Sequence, residues 1–187
     1  MKNGVKCELS FVKCSNYDHQ TAYELPIKPS PNLPNLRSIY LYPWLCFFEG
    51  TTASVGRGTN QQFQIYGHPD YPAGSYRFTP VSREGAKNPK HQNKECFGHS
   101  LAEMPPPQLF QKAQIDLGYL LRFYQAFPNK DQFFLSNNFI DKLAGSDQLR
   151  QQIIGGRSEA EIRSSWAADL ANFKAKRRKY LLYEDFE

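Results

Sequence analysis

Pro105-Pro106-Pro107-Gln108-Leu109-Phe110-Gln111-Lys112-Ala113-Gln114-Ile115-Asp116-Leu117-Gly118-Tyr119-Leu120-Leu121-Arg122-Phe123-Tyr124-Gln125-Ala126-Phe127 is the stretch over which the chain changes character. Leu109, Ala113, Leu117, Leu120, Tyr124 and Phe127 recur three and four residues apart, which puts them on one face of a helix. That helix is expected to start behind the prolines, which the first helical turn tolerates, and to stop at Pro128-Asn129. Farther on, Ser146 reads as the cap of a short helix ending at Gly155-Gly156. A capping box, Ser158 with Glu161, opens a last helix carrying Ile162, Trp166, Leu170 and Phe173 on one face.

Upstream of Pro105 the periodicity is that of strands. Phe63 to Tyr66, Tyr76 to Val81 and Phe97 to Leu101 read as short strands, the first two separated by turn chemistry at Gly67-His68-Pro69-Asp70 and Pro72-Ala73-Gly74. Cys7 to Cys14 alternates apolar and polar residues and predicts a strand with one buried face. Because it begins so near Met1, residues 1–24 are expected to hold an edge strand and the junction to a domain lying upstream. Four prolines between Leu25 and Asn35 restrict that segment to extended and turn conformations. Leu36 to Phe48, apolar on all faces and interrupted by Pro43, reads as a buried helix or extended segment. The expected architecture is α+β, one domain over 1–187, with a small mixed or antiparallel sheet and helices mainly from the C-terminal third.

Composition narrows the function classes. A chain of 187 residues with 14% aromatic content is a folded domain rather than a disordered segment. No stretch approaches the ~18 apolar residues of a membrane span, and no apolar export signal precedes Cys7. Much of the formal charge of +5 comes from Lys174, Lys176, Arg177, Arg178 and Lys179, a basic helix end. The rest lacks the basic stripe of a nucleic-acid-binding surface, so no nucleic-acid partner is expected. Cys7, Cys14, Cys46 and Cys96 have no C-x-x-C spacing and read as buried thiols.

Glu49 to Thr59, Glu-Gly-Thr-Thr-Ala-Ser-Val-Gly-Arg-Gly-Thr, is too polar and glycine-rich to form a core. Its glycines admit close backbone approach, while Glu49, Thr51, Ser54, Arg57 and Thr59 supply directional contacts. It lacks the Gly-Lys-Ser/Thr ending of a P-loop and the spacing of a dinucleotide fingerprint. A structural Arg57–Glu49 ion pair in a tight turn is the alternative. Lys90 and His91 form a second candidate contact. His91, Cys96 and His99 match no common zinc pattern, so neither metal nor cofactor is expected. His68 reads as a solvated turn residue. Asn16, Tyr17, Asp18 and His19 gather either a ligand contact or an ordinary polar turn.

Ser30-Pro31-Asn32-Leu33-Pro34, Tyr42-Pro43, Cys46-Phe47-Phe48-Glu49-Gly50-Thr51, Ser54-Val55-Gly56-Arg57-Gly58-Thr59 and Phe63 together resemble the NamZ-type exo-β-N-acetylmuramidases. The similarity continues through Gly85-Ala86, Pro89-Lys90-His91, Cys96, Gly98, Phe139, Asp141-Lys142-Leu143-Ala144-Gly145, Leu149-Arg150, Trp166, Phe173, Arg177 and Tyr180 to Tyr183. Trp44 departs from the small residue expected after Tyr42-Pro43. The resemblance implies a peptidoglycan glycosidase releasing N-acetylmuramic acid from the non-reducing end. It also implies a Rossmann-like N-terminal domain, absent here, whose Glu-His-Gly motif carries the catalytic glutamate; no Glu-His-Gly occurs in this sequence.

On that resemblance this chain supplies the substrate-facing half, partnered by that domain and inactive alone. Glu49 is then the candidate carboxylate of this half. Asn32, Thr51, Ser54, Arg57, Thr59, Lys90 and His91 are the candidate contacts to muramic-acid sugars. Arg57, or alternatively Lys90, would meet the lactyl carboxylate. Since the family's substrate lies outside the cytoplasmic membrane, the resemblance places the full-length protein in the periplasm or outside the cell. The alternative from a different class is a module that binds muramic acid or docks onto a protein without turnover.

Overall fold

The computed structural model describes Gly4, residues 7–112 and residues 114–185. Its described residues form six α-helices and one three-stranded antiparallel sheet, an α+β fold. The chain divides into two units, Glu24–Ser165 on the one hand and the described residues of Met1–Tyr23 and Trp166–Glu187 on the other.

The larger unit opens with α1 (Leu36–Leu45), which continues into a 3-10 turn over Cys46–Gly50. Asn35 caps α1 by accepting from Ser38 N at 2.9 Å, and the Ser38 hydroxyl accepts in return from Asn35 N at 3.3 Å. The capping box explains why an apolar run with an internal proline is helical. Three strands follow, β1 (Ile65–His68), β2 (Tyr76–Phe78) and β3 (Cys96–Ser100), in spatial order β1-β3-β2. Each is displaced by one to three residues at one end or both from its expected limits. In register, Gly67 faces Gly98 and Phe78 faces Cys96.

The long helix expected from Pro105 to Phe127 is two helices, α2 (Pro106–Lys112) and α3 (Gly118–Ala126). Hydrogen bonding explains the break. The Gln114 carbonyl, which a continuous helix would offer to Gly118 N, accepts instead from the Trp44 indole N–H at 2.9 Å. Gly118 N turns to the Asp116 carboxylate at 3.0 Å, and Leu117 N to Glu159 Oε1 at 3.2 Å. The apolar stripe nevertheless holds: Leu109, Leu117, Leu120, Tyr124 and Phe127 are all buried. Its remaining member, Ala113, lies outside the described residues.

α4 (Phe139–Ala144), α5 (Gln148–Ile154) and α6 (Glu159–Arg177) complete the helices. Asp147, not Ser146, stands at the N-cap of α5, and no side chain caps that end. The Ser158–Glu161 box is formed, with Ser158 N donating to Glu161 Oε2 at 2.8 Å and Glu161 N to Ser158 Oγ at 3.3 Å. In the core, Phe48, Tyr66, Tyr71, Phe123, Phe127 and Phe133 form a continuous aromatic cluster. Burying each such side chain stabilises by roughly 1.5–3 kcal/mol.

In the smaller unit the strand expected over Cys7 to Cys14 is not formed. Leu9 and Val12 are 79% and 97% exposed, so the alternation here buries no face against the described residues. Cys14 N donates instead to the Tyr183 hydroxyl at 2.7 Å. Cys7 and Cys14 are exposed free thiols rather than buried ones, whereas Cys96 is buried and Cys46 half-buried. Asp18 closes a polar turn by accepting from Gln20 N at 3.0 Å and the Thr21 hydroxyl at 2.8 Å. Tyr17 packs edge-on against Tyr183. Among the described residues no helix is long and apolar enough to cross a membrane.

Candidate functional site

The polar loop that begins at Glu49 is fixed to the rest of its unit by backbone pairing on both sides. Thr52 N donates to Phe133 O at 2.8 Å and Leu135 N to Gly50 O at 3.1 Å, joining the loop to the segment that enters α4. Ser54 exchanges two bonds with Gly67 of β1, at 2.8 and 3.0 Å. Gly50 permits this closeness, because a Cβ there would lie 2.5 Å from the backbone of Ile140. Gly56 and Gly58, at φ 77 and 84, let the chain double back so that Arg57 projects between them.

The result is a cavity of about 670 Å3 within the larger unit. It is lined by Glu49, Ser54, Arg57 and Lys90, by the segment Gly85 to Pro89, and by Leu135, Asn137 and Phe139. Glu49 is the one acid of this lining, against Arg57, Lys87 and Lys90. Arg57 Nη1 donates to Glu49 Oε1 at 3.2 Å and Nη2 to the Gly85 carbonyl at 3.3 Å. With its side chain 43% exposed, the guanidinium is held from behind and remains open to a ligand.

Lys90 and His91 are engaged differently. The Lys90 ammonium donates to the carbonyls of Glu49 (3.0 Å), Thr51 (2.5 Å) and Ala53 (3.4 Å), which accounts for its three donors. Burial pushes it down to about 8, so it is still charged at neutral pH. His91 Nε2 lies 2.7 Å from the Thr52 carbonyl and therefore donates to it. Both residues brace the same loop from one side.

His68 is a correction. Instead of a solvated turn residue it is 8% exposed, its ring edge-on to His91 at 4.4 Å and to Phe127 at 4.9 Å. Its Nδ1 accepts from Asp70 N at 3.0 Å. Burial, then the neighbouring His91, holds the imidazole at about 4. β1 continues two residues farther than the Gly-His-Pro-Asp pattern suggested, and Phe127 and His91 close over the ring. His91 and His99 pack against different partners, His68 and Tyr71 respectively, and among the described residues no three His, Cys, Asp or Glu side chains converge as metal ligands.

The structure thus brings Glu49, Ser54, Arg57 and Lys90 together at the cavity, while the other candidates lie around it. Thr51 is fully buried and its hydroxyl donates to Phe48 O at 2.8 Å, closing the 3-10 turn. The Thr59 hydroxyl donates to Gly56 O at 2.7 Å and accepts from Gln61 N at 3.0 Å. Asn32 lies behind the rim, donating from Nδ2 to Gly85 O at 2.9 Å, the carbonyl that Arg57 also uses. Lys87, Leu135, Asn137 and Phe139 were not singled out as site residues from their local sequence, because no spacing rule connects residue 49 to residue 139.

The fold is that of the C-terminal part of a family of peptidoglycan glycosidases. The family profile described as "Exo-beta-N-acetylmuramidase NamZ, C-terminal" matches residues 40–183, and the chain belongs to that family. The peptidoglycan β-N-acetylmuramidase NamZ of Bacillus subtilis (strain 168) is 30% identical over 96% of this chain and 46% of its own length. A DUF1343 family protein of Bacteroides fragilis NCTC 9343, known from its crystal structure, superposes with a TM-score of 0.89 at 47% identity, over 96% of this chain and 50% of that one. A second protein of that family from the same organism shares the fold, with a TM-score of 0.60 at 18% identity, over 84% of this chain and 45% of its own. The chain spans about half the length of the relatives it matches.

Proposed function

We propose that this chain is the sugar-holding half of an exo-acting muramidase site, with Arg57 receiving the lactyl carboxylate of N-acetylmuramic acid. The observation that carries this is the make-up of the cavity lining: three cationic side chains against one carboxylate, together with the apolar side chains of Leu135 and Phe139. A carboxylated N-acyl sugar matches both features. Its carboxylate suits a planar guanidinium, which binds such groups through two parallel hydrogen bonds. Its apolar ring face and acetyl methyl suit Phe139.

Glu49 orients Arg57, and the carboxylate oxygen not used in that contact accepts from a sugar hydroxyl. Lys90 acts through the loop, by fixing three of its carbonyls, and adds positive charge nearby. Asn32 acts through Gly85, which it shares with Arg57. Glycoside hydrolysis needs a proton donor at the leaving oxygen and a second group at the oxocarbenium-like carbon. The proton donor is proposed to come from the family's N-terminal domain, so this chain alone does not turn over.

The test pairs two assays on the purified chain, with full-length Bacillus subtilis NamZ as control: release of N-acetylmuramic acid from the MurNAc-GlcNAc disaccharide, and saturable binding of N-acetylmuramic acid. Binding without release, with the control active, is expected. Release abolished by Glu49→Gln would show this half to be catalytically complete, and absence of binding would leave it a structural partner only.

A further inference from the structure

A second cavity, of about 610 Å3, lies between the sheet and α3 of the same unit. Tyr66 of β1, His99 and Ser100 of β3, Tyr71 from the loop after β1, and Tyr119 and Arg122 of α3 line it. Its volume is in the range of small-molecule sites, roughly 300–1,000 Å3. Unlike the first cavity it has no carboxylate in its lining, and Arg122 is its one side chain of fixed charge.

Arg122 is positioned without a direct ion pair among the described residues. Its guanidinium carbon sits 5.1 Å from the Tyr119 ring centroid, on the ring face. Its Nη1 lies beside Gly118 near Asp116 Oδ1 and Glu159 Oε2, and both of these acids pair with other bases, Asp116 with Lys112 at 2.6 Å and Glu159 with Arg163 at 2.6 Å. Among the described residues no carboxylate forms an ion pair with Arg122. The floor beneath it is rigid, since Tyr71 stacks on Phe123 at 3.9 Å and Tyr66 packs edge-on against the same ring at 5.6 Å.

The remaining polar groups are neutral donors or shared pairs. The Tyr71 hydroxyl and His99 Nε2 lie 3.3 Å apart. Burial, then the charge of Arg122, lowers His99, which keeps the imidazole uncharged at neutral pH. Burial raises Tyr66 and Tyr71, so both hydroxyls keep their protons. The Ser100 hydroxyl accepts from Ala102 N at 3.2 Å and has its own proton to give. A pocket rich in donors, without an acid, is complementary to a group that only accepts.

We propose that this cavity binds the carboxylate of a small polar ligand, a sugar acid or the C-terminus of a short peptide, with Arg122 as its anchor. The proposal does not depend on the role given to Arg57. It is tested by following backbone amide shifts of the whole chain during titration with N-acetylmuramic acid, D-alanyl-D-alanine, N-acetylglucosamine and inorganic phosphate. Saturable shifts at His99, Ser100, Tyr119 and Arg122 are expected with at least one of the two carboxylates. Which one responds identifies the source. Binding should weaken about tenfold in Arg122→Gln, a surface change that leaves the fold intact, and persist in Arg57→Ala. The proposal is overturned if neither carboxylate shifts those amides, if N-acetylglucosamine or phosphate does so equally, or if Arg57→Ala rather than Arg122→Gln removes the response.

Discussion

In the proposed sugar site, Arg57 is the residue on which the ligand chemistry turns. Its two contacts, to Glu49 and Gly85, fix the plane of the guanidinium without covering it. Arg57→Lys would keep the charge and lose the fork. It should weaken N-acetylmuramic acid about tenfold while leaving N-acetylglucosamine nearly unchanged, as read by calorimetric titration. Equal losses for both sugars would show that Arg57 does not meet the carboxylate.

His68 makes a separate prediction about stability. Its folded value of about 4 lies below the ordinary 6.5, so between those values the unfolded chain binds more protons than the folded one. Stability is therefore full above pH 6.5 and is lost as pH falls toward 4, by on the order of 2–3 kcal/mol from this residue. Urea unfolding across that range should show a slope that His68→Gln flattens. An unchanged slope would place the lost protons elsewhere, on His91 or His99, both also lowered by burial.

At the scale of elements, the cavity exists because two segments some 80 residues apart are joined: the 3-10 turn and loop after α1, and the entry to α4. Gly50 is where they meet. Gly50→Ala should cost about 1–3 kcal/mol or more through overpacking against Ile140 and move Phe139 relative to Glu49. The expected outcome is a lower melting temperature together with weaker sugar binding. Gly145→Ala serves as comparison, because its added Cβ meets nothing within 4 Å and only the left-handed φ of 80 is strained. Lys90→Met should behave like Gly50→Ala in stability, since it frees three carbonyls.

Much of this was legible in the sequence where local chemistry decides the outcome. The stripe from Leu109 to Phe127 and the Ser158–Glu161 box needed only spacing and capping rules. Glu49, Ser54 and Arg57 stood out because polar side chains gather in one glycine-rich loop, although that loop, expected to stay out of the core, is buried at Thr51, Ala53, Ser54 and Val55. What escaped depends on distant partners. The break between α2 and α3 comes from the Trp44 indole taking the Gln114 carbonyl. His68 looked solvated because its burial is supplied by Phe127 and His91, and the alternation of Cys7 to Cys14 produced no strand because among the described residues no strand pairs with it. Phe139 entered only through family resemblance, and its place in the same cavity lining as Glu49 follows from the contact between Gly50 and Ile140.

At the scale of the whole molecule, a family domain spanning about half of its relatives holds a cavity with a cationic and partly apolar lining, proposed to take a carboxylated sugar. The most direct measurement is titration of the purified chain with N-acetylmuramic acid and with N-acetylglucosamine, following the amides of Gly56, Arg57, Gly85 and Phe139. Saturable shifts at these positions for the muramic sugar, and markedly weaker ones for N-acetylglucosamine, are predicted. Identical responses to both sugars, or none at these amides, would contradict a carboxylate-reading sugar site in this half.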